Sequence, residues 1–329
     1  MTPDTLMQRA LAAATVARRR SSPNPWVGCA IVALDGRTVE GATEPPGGRH
    51  AERVAIDAAL AAGIDVRGAT LATTLEPCSH TGRTGPCADA IIEAGVAHVV
   101  VALTDPDLHV DGRGIERLRA AGIQVTTDVC VEAASEQLRP YLHHRRTGRP
   151  FVVLKAATTL DGAIAARDGS SRWITGPEAR TAVHELRADS DAILVGAGTI
   201  RADDPELTVR HVDGPSPRRV VLGEAPTAAR VHPCLEWTGP IPDLLDRLGA
   251  EGVLQLLVEG GPRVAGSFHR AGLVDRYVMH MAPALMGEAP RALAGLETPT
   301  IDQLWRGRTV AVRQLGNDLE VIIDPGTKD

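Results

Sequence analysis

His50, Cys78 and Cys87 are three side chains of the types that bind zinc, and Glu52, two residues after the histidine, is a carboxylate placed to move protons. Zn²⁺ takes nitrogen and sulfur donors in a tetrahedron, and a catalytic site holds three protein ligands and keeps the fourth position for water. One His and two Cys meet that count. Glu52 is too close to His50 to be a fourth ligand without strain, yet near enough to serve a water in the open position. Zinc deaminases divide the labour in this way, with an H-x-E segment followed by P-C-x-x-C. Here eight residues, 79–86, separate the two cysteines instead of two. Two thiolates leave the metal formally neutral, so water is acidified less than by three imidazoles and a nearby base becomes useful. A positioned carboxylate in that role is worth about 10² to 10⁴-fold. A closed structural zinc would need a fourth ligand, and the nearby candidate is His80.

Hydrophobic periodicity shows what must position these groups. The first half alternates helix and strand: helical spacing at 6–17, a strand at 27–34, and an Ala-rich helix at 51–62 closed by Gly63. A strand at 69–75, a helix at 87–94 ended by Gly95 and a strand at 98–103 follow, and 114–121 with 124–127 repeats the pattern. His50 and Cys87 therefore open helices, and Cys78 follows a strand, so the ligands converge at one edge of a sheet. Pro86 suits a helix start, and a helix N-terminus lowers a thiol's pKa, which leads us to expect an acidified Cys87. At 145–150 basic residues, Gly148 and Pro150 interrupt the periodicity, after which strands at 151–156, 192–195, 219–222, 253–258 and 275–281 begin a second alternation. The expectation is two α/β domains joined by a short linker, at 1–146 and 150–329, as the length of 329 residues favours.

A net charge of −6 and an aromatic content of 2% argue against a nucleic-acid surface, which needs a basic face and stacking side chains. Arg18-Arg19-Arg20 and His143-His144-Arg145-Arg146 read as solvated helix ends or linker. The N-terminus has no signal-peptide h-region and no apolar run is long enough to span a membrane, so the expectation is a cytoplasmic protein. Five cysteines are too few for a disulfide framework, which fits a reducing compartment, and Cys29, Cys130 and Cys234 read as bystanders.

The second half carries two glycine turns after strands. Val195-Gly196-Ala197-Gly198-Thr199 has Arg201 where a third glycine would complete G-x-G-x-x-G, so a dinucleotide fingerprint of that type is weak. Glu259-Gly260-Gly261-Pro262-Arg263-Val264-Ala265-Gly266-Ser267 leads from a strand into a helix, where backbone N–H groups face an anion. The other reading is a plain tight turn.

Ser22-Pro23-Asn24-Pro25 with Val27-Gly28, His50-Ala51-Glu52 and the run from Glu76-Pro77-Cys78 to Pro86-Cys87 resemble the deaminase half of the bifunctional riboflavin-biosynthesis deaminase/reductase family. The long spacer between the cysteines is a feature of that family and separates the chain from cytidine, deoxycytidylate and tRNA-adenosine deaminases. Lys155, Leu160-Asp161-Gly162, the run from Gly169 to Gly176, Arg187, Thr199, Asp203-Asp204-Pro205 and Leu207-Thr208-Val209-Arg210 resemble its reductase half. The resemblance implies a cytidine-deaminase-like three-layer α/β/α domain, then a dihydrofolate-reductase-like α/β domain.

It further implies zinc on His50, Cys78 and Cys87, Glu52 as proton shuttle, and Asn24, His80 and Arg83 on the pyrimidine or its ribose phosphate. In the second half it implies Ser171, Arg187, Leu207, Arg210 and Glu259 on substrate. Trp173, Thr199, Asp203, Gly261, Pro262, Arg263, Val264, Ala265, Gly266 and Ser267 would hold NADPH. A core-filling role is the other reading of Trp173. Thr43 stands where many members have a His, Asp107 where members tend to have Asn, and residues 224–243 are short and Pro-rich for the family, so no contact to the cofactor's 2′-phosphate is assigned. Lys155 and Asp203 are candidates for the reductase's acid. Expected partners are a small nucleotide and further copies of the chain in a homo-oligomer, with no nucleic acid or membrane. Competing readings are a member with one half reduced to a scaffold, a deaminase for another nucleotide, and a non-enzymatic zinc-stabilised binding protein.

Overall fold

The computed structural model describes residues 1–79, 85–107 and 110–326, and divides the chain into two units, Met1–Gly148 and Arg149–Asp329. His80, Arg83 and Leu108 lie outside the described residues. Among the described residues no helix is long and apolar enough to cross a membrane.

In the first unit Thr2 caps α1 (Pro3–Ala14) by accepting from the Thr5 N–H, and Pro3 costs nothing at the first position, where its N–H would be unpaired. Leu6, Met7 and Ala10 bury one face of this helix with Ala30, Ala72 and Val100 of the sheet. That sheet runs β2-β1-β3-β4-β5. Its strands are β1 (Gly28–Val32), β2 (Thr38–Ala42), β3 (Thr70–Thr73), β4 (His98–Val101) and β5 (Gln124–Thr126). β1 is antiparallel to both neighbours, whereas β3, β4 and β5 are parallel. The crossovers are α2 (Ala51–Ala61), α3 (Cys87–Glu93) and α4 (Arg113–Ala120), and α5 (Val131–Gln137) and α6 (Arg139–Thr147) follow the last strand.

β2 and α5 have no counterpart in the sequence reading: β2 holds Glu40 at a polar edge and does not alternate cleanly. The basic cluster at 143–146 belongs to α6, which Gly148 closes in the left-handed conformation at φ 73°. Arg18 lies over the fully buried Trp26 ring at 3.7 Å, so that cluster is partly a packing element and not only a solvated end.

The second unit is built on a sheet of order β12-β13-β11-β6-β10-β7-β8-β9. Its strands are β6 (Phe151–Thr159), β7 (Ala192–Gly196), β8 (Arg218–Leu222), β9 (Leu235–Trp237), β10 (Gln255–Val258), β11 (Arg276–Ala282), β12 (Gly307–Leu315) and β13 (Asp318–Pro325). From β11 to β9 all pairings are parallel, and the β12–β13 hairpin adds antiparallel on β11. α7 (Pro177–Ala188), α8 (Ala197–Asp203), α9 (Ile241–Ala250) and α10 (Pro262–Arg270) connect the parallel strands.

Central parallel strands are covered on both faces and need continuous apolar runs. Ile193, Leu194, Val195, Leu256, Leu257 and Val258 are accordingly all buried, shared between two clusters on opposite faces. β12 shows the converse: almost every residue is exposed, and its place is held by backbone pairing to β13, which leaves little pattern to read.

Candidate functional site

α2 reaches its place because Gly41 of β2 lets the helix backbone close in: a Cβ there would lie 2.3 Å from the Ala51 carbonyl oxygen. Ala51, Ala55 and Ala59 complete this close-packed face. The contact holds His50, the N-cap of α2, against the loop after β3 that carries Cys78 and against the start of α3. His50 Nδ1 is 3.6 Å from Cys78 Sγ and 3.4 Å from Cys87 Sγ. A tetrahedral Zn²⁺ with bonds of ~2.3 Å to S and ~2.1 Å to N holds its donors ~3.5 Å apart, so the trio fits the ion. Glu52 is 3% exposed on the same helix, with Thr73 Oγ1 3.5 Å from its Oε1. Burial raises its carboxyl above the ordinary range, against the opposing pull of His50.

The two sulfurs differ in a way opposite to expectation. The Cys87 N–H, at the start of α3, donates to Cys78 Sγ at 3.3 Å, so the helix terminus serves its neighbour's sulfur. Donation from the Cys87 thiol, and then from His50 and this amide, brings Cys78 down to about 4. Cys87, as the donor in a buried place, is pushed up. Zinc would hold both as thiolates. Sequence reasoning also passed over Glu76. Its buried carboxylate accepts from the N–H groups of Asp105, Gly112, Gly114 and Ile115 and so ties the segment before Cys78 to the start of α4. Asn24 lies in the turn before β1, its N–H on the Ser21 carbonyl. Thr43 is buried and bonds the Val27 backbone, and Asp107 pairs with Arg145 at 3.3 Å.

In the second unit the C-terminal ends of β6, β7, β8 and β10 open on a cleft of about 1920 Å³. Ligands of open α/β sheets bind outside the carboxyl ends of the strands. Of the sequence candidates, Ser171, Trp173, Arg187, Thr199, Asp203, Leu207, Arg210 and Glu259 line it, as do Gly261, Pro262, Arg263 and Val264. Ala265, Gly266 and Ser267 do not: α10 begins at Pro262, which puts the first two in its buried face and bonds the Ser267 hydroxyl to the Arg263 carbonyl. The Ala265 N–H is taken by the Gly261 carbonyl. Pro262 at the first helical position was the available signal for that boundary.

At Gly260 a Cβ would lie 2.5 Å from Val264 Cγ1, so the turn before α10 folds tightly over the helix start. This cradle and the roomy cleft fit a dinucleotide whose phosphates need close backbone approach. Trp173 is 70% exposed with Arg180 4.8 Å over its ring, which removes the core-filling alternative.

Arg187 does not stand free. Its Nε and Nη2 each donate to Glu259 at 2.8 Å in a bidentate pair, and Nη1 reaches the Thr208 carbonyl at 3.3 Å. Burial works to raise Glu259, but Arg187 outweighs it and keeps the carboxylate charged. Lys155 points into the same space, and burial lowers its pKa, Arg187 adding to this and Glu259 opposing it. Arg210 Nη1 bonds Glu206 and the Thr208 hydroxyl, and Asp203 accepts from Arg172. His184 and His211 also line the cleft and meet edge to face at 4.4 Å, a pair with no sequence motif to announce it. The Arg210 N–H donates to His184 Nδ1, and burial, then Arg187, holds this imidazole at about 4 and thus neutral.

These two geometries have matched counterparts. Residues 1–103 match the cytidine and deoxycytidylate deaminase zinc-binding region, and residues 150–321 match the RibD C-terminal domain. The riboflavin biosynthesis protein RibD of Mycobacterium tuberculosis (strain ATCC 25618 / H37Rv) is 43% identical over 317 residues, covering 90% of each chain. The chain belongs to the RibD family. Form 1 of Acinetobacter baumannii RibD superposes with a TM-score of 0.92 at 34% identity, covering 99% of both chains. The diaminohydroxyphosphoribosylaminopyrimidine deaminase/5-amino-6-(5-phosphoribosylamino)uracil reductase of Thermotoga maritima gives 0.93 at 34% identity, covering 98% of this chain and 99% of that one. As a RibD protein, the chain is an enzyme of riboflavin biosynthesis acting on small nucleotides, with a zinc-binding deaminase part and a reductase part that uses NADPH. Two matched parts leave the scaffold and non-enzymatic readings unfavoured.

Proposed function

We propose that the first unit, over residues 1–146, deaminates 2,5-diamino-6-ribosylamino-4(3H)-pyrimidinone 5′-phosphate, and the second, over 150–329, reduces the sugar of the deaminated product to its alditol. The observation that carries this reading is the meeting of His50 Nδ1 with two sulfurs at 3.4 and 3.6 Å beside the buried carboxylate of Glu52. When bound, zinc supplies a Lewis acid that acidifies water, and NADPH supplies the two-electron reductant. His50, Cys78 and Cys87 hold the ion, and Glu52 takes the proton of the attacking water and delivers it to the departing amine. Asn24, His80 and Arg83 hold the pyrimidine and its ribose phosphate.

In the second unit Trp173, Thr199, Asp203 and the segment from Gly261 to Val264 hold NADPH. Ser171, Leu207, Arg210 and the Arg187–Glu259 pair hold the substrate, so that Arg187 shares its guanidinium between Glu259 and the 5′-phosphate. Of the two candidates for proton donor, Lys155 is buried beside Glu259, whereas Asp203 is exposed and paired with Arg172. Lys155 therefore gives the proton to the opened sugar. The ligand thiols need a reducing compartment, which supports a cytoplasmic home, and the exposed β12 edge supports association with further copies of the chain.

Mass spectrometry of products from the pure protein tests the reading. The diaminopyrimidine alone should yield ammonia and the ribosylaminouracil phosphate, and with NADPH the ribitylamino compound. Reduction of the starting diaminopyrimidine without prior deamination would overturn the order.

A further inference from the structure

Cys234, a bystander in the sequence reading, has company. His232, Cys234 and Glu236 lie two residues apart where the chain bends into β9, with Glu236 inside the strand and the other two just before it. Their ligand atoms lie within 4.8 Å of one another. His232 Nδ1 is 3.5 Å from Cys234 Sγ, within 0.1 Å of the separations His50 Nδ1 keeps from its two sulfurs, 3.6 and 3.4 Å. The other ring nitrogen, Nε2, is 3.0 Å from the Pro226 carbonyl. A carbonyl only accepts, so Nε2 carries the proton and the Nδ1 lone pair faces the thiol. Giving the second N–H to a backbone carbonyl is how metal-binding histidines are oriented. Glu236 is oriented as well, its Oε1 accepting from the Ala225 N–H at 2.8 Å. His232 and Cys234 are half-buried and Glu236 is exposed, so an ion has a path from solvent.

We propose that His232, Cys234 and Glu236 form a second metal site, separate from His50, Cys78 and Cys87, which takes a zinc-class divalent cation. One nitrogen, one sulfur and one carboxylate oxygen suit a borderline ion in a tetrahedron with water fourth; Ca²⁺ and Mg²⁺, which call for oxygen ligands, are disfavoured. Cys234 releases its thiol proton to solvent as the ion binds. Among the described residues β9 is the edge of its sheet, with β8 as its neighbouring strand. The ion therefore clips an edge strand to the chain segment before it. Leu222, Gly223, Glu224, Arg230 and Thr238 of the same region line the cofactor cleft, so the clip fastens one wall of that cleft.

Metal analysis of the full-length protein equilibrated in buffered Zn²⁺ tests the site. Wild type should hold two ions per chain, and Cys234→Ser and His232→Ala one each, with ammonia release unchanged in both. Co²⁺ added to protein already holding one zinc should give the thiolate-to-cobalt absorption in wild type and lose it in Cys234→Ser. Zinc should raise the thermal midpoint of wild type further than that of either variant, a gain a thiol alone does not give. One ion per wild-type chain overturns the proposal. So does a second ion that survives His232→Ala, since it would then be held by the cysteine without its partner.

Discussion

The first unit needs only a few atoms in register: two helix starts and the loop after β3 bring an imidazole and two thiols together, with a carboxylate in the first turn of α2. In the second unit strands, helices and loops spread more than forty residues around a wide cleft, and its central cation is already held by a carboxylate far along the chain. A metal site of the first kind is written in residue types and spacing, because ligand chemistry tolerates few substitutes. A cleft of the second kind depends on pairings that spacing does not announce. Arg187 and Glu259 are 72 positions apart, and what each does follows from the other.

The largest break in this comparison should come from Glu52→Gln. It removes the proton carrier but no ligand, so ammonia release should fall by about 10² to 10⁴-fold or more while zinc content and NADPH oxidation with deaminated substrate hold. Undiminished ammonia release would remove Glu52 from its role.

Arg187→Ala should come next, and its first effect is on the fold. It leaves Glu259 charged and buried without its partner, a loss of roughly 3–5 kcal/mol read by denaturant unfolding of the second unit. Adding Glu259→Gln should recover much of that stability without restoring reduction. If the single variant unfolds like wild type, the pair is not what holds this region.

A smaller effect is expected at the turn before α10. Gly260→Ala would press on Val264 at a cost of about 1–3 kcal/mol, read as a raised KM for NADPH with deamination untouched. Val264→Ala in the same chain should relieve it; no relief would mean the crowding is not the cause.

The mildest concerns pH. His184 has a folded pKa of about 4 against an ordinary 6.5, so between those values the unfolded chain binds more protons. Its contribution to stability is complete above about 6.5 and is lost as pH falls toward 4. His184→Gln should flatten that part of the second unit's stability profile, and an equal slope in the variant would place the acid sensitivity elsewhere.

Much of the fold was legible where one property dominates. The Ala-rich face of α2, the apolar β7 and β10, and the glycine after α3 announced themselves by period or breaker. β2 and β12 did not, since one sits at a polar edge and the other buries almost nothing. At the first site the meeting of His50, Cys78 and Cys87 was legible and the acidity of the thiols was not: the α3 amide points at Cys78, a matter of backbone direction that no spacing reveals. At the second, the strand, glycine turn and helix were legible, yet the helix start was read too late and six of its residues, from Pro262 to Ser267, were counted into the loop. Cys234 was read as a bystander because its meeting with His232 and Glu236 depends on the bend before β9, which spacing does not announce.

The central claim is that two chemistries reside on separate units, each complete in its own groups. Cys78→Ser tests it most directly, with ammonia release and NADPH oxidation measured on one preparation whose second unit unfolds at the wild-type midpoint. No ammonia from the diaminopyrimidine, together with wild-type NADPH oxidation on the deaminated substrate, is the expected result. A parallel fall of both activities in that folded protein would contradict the account.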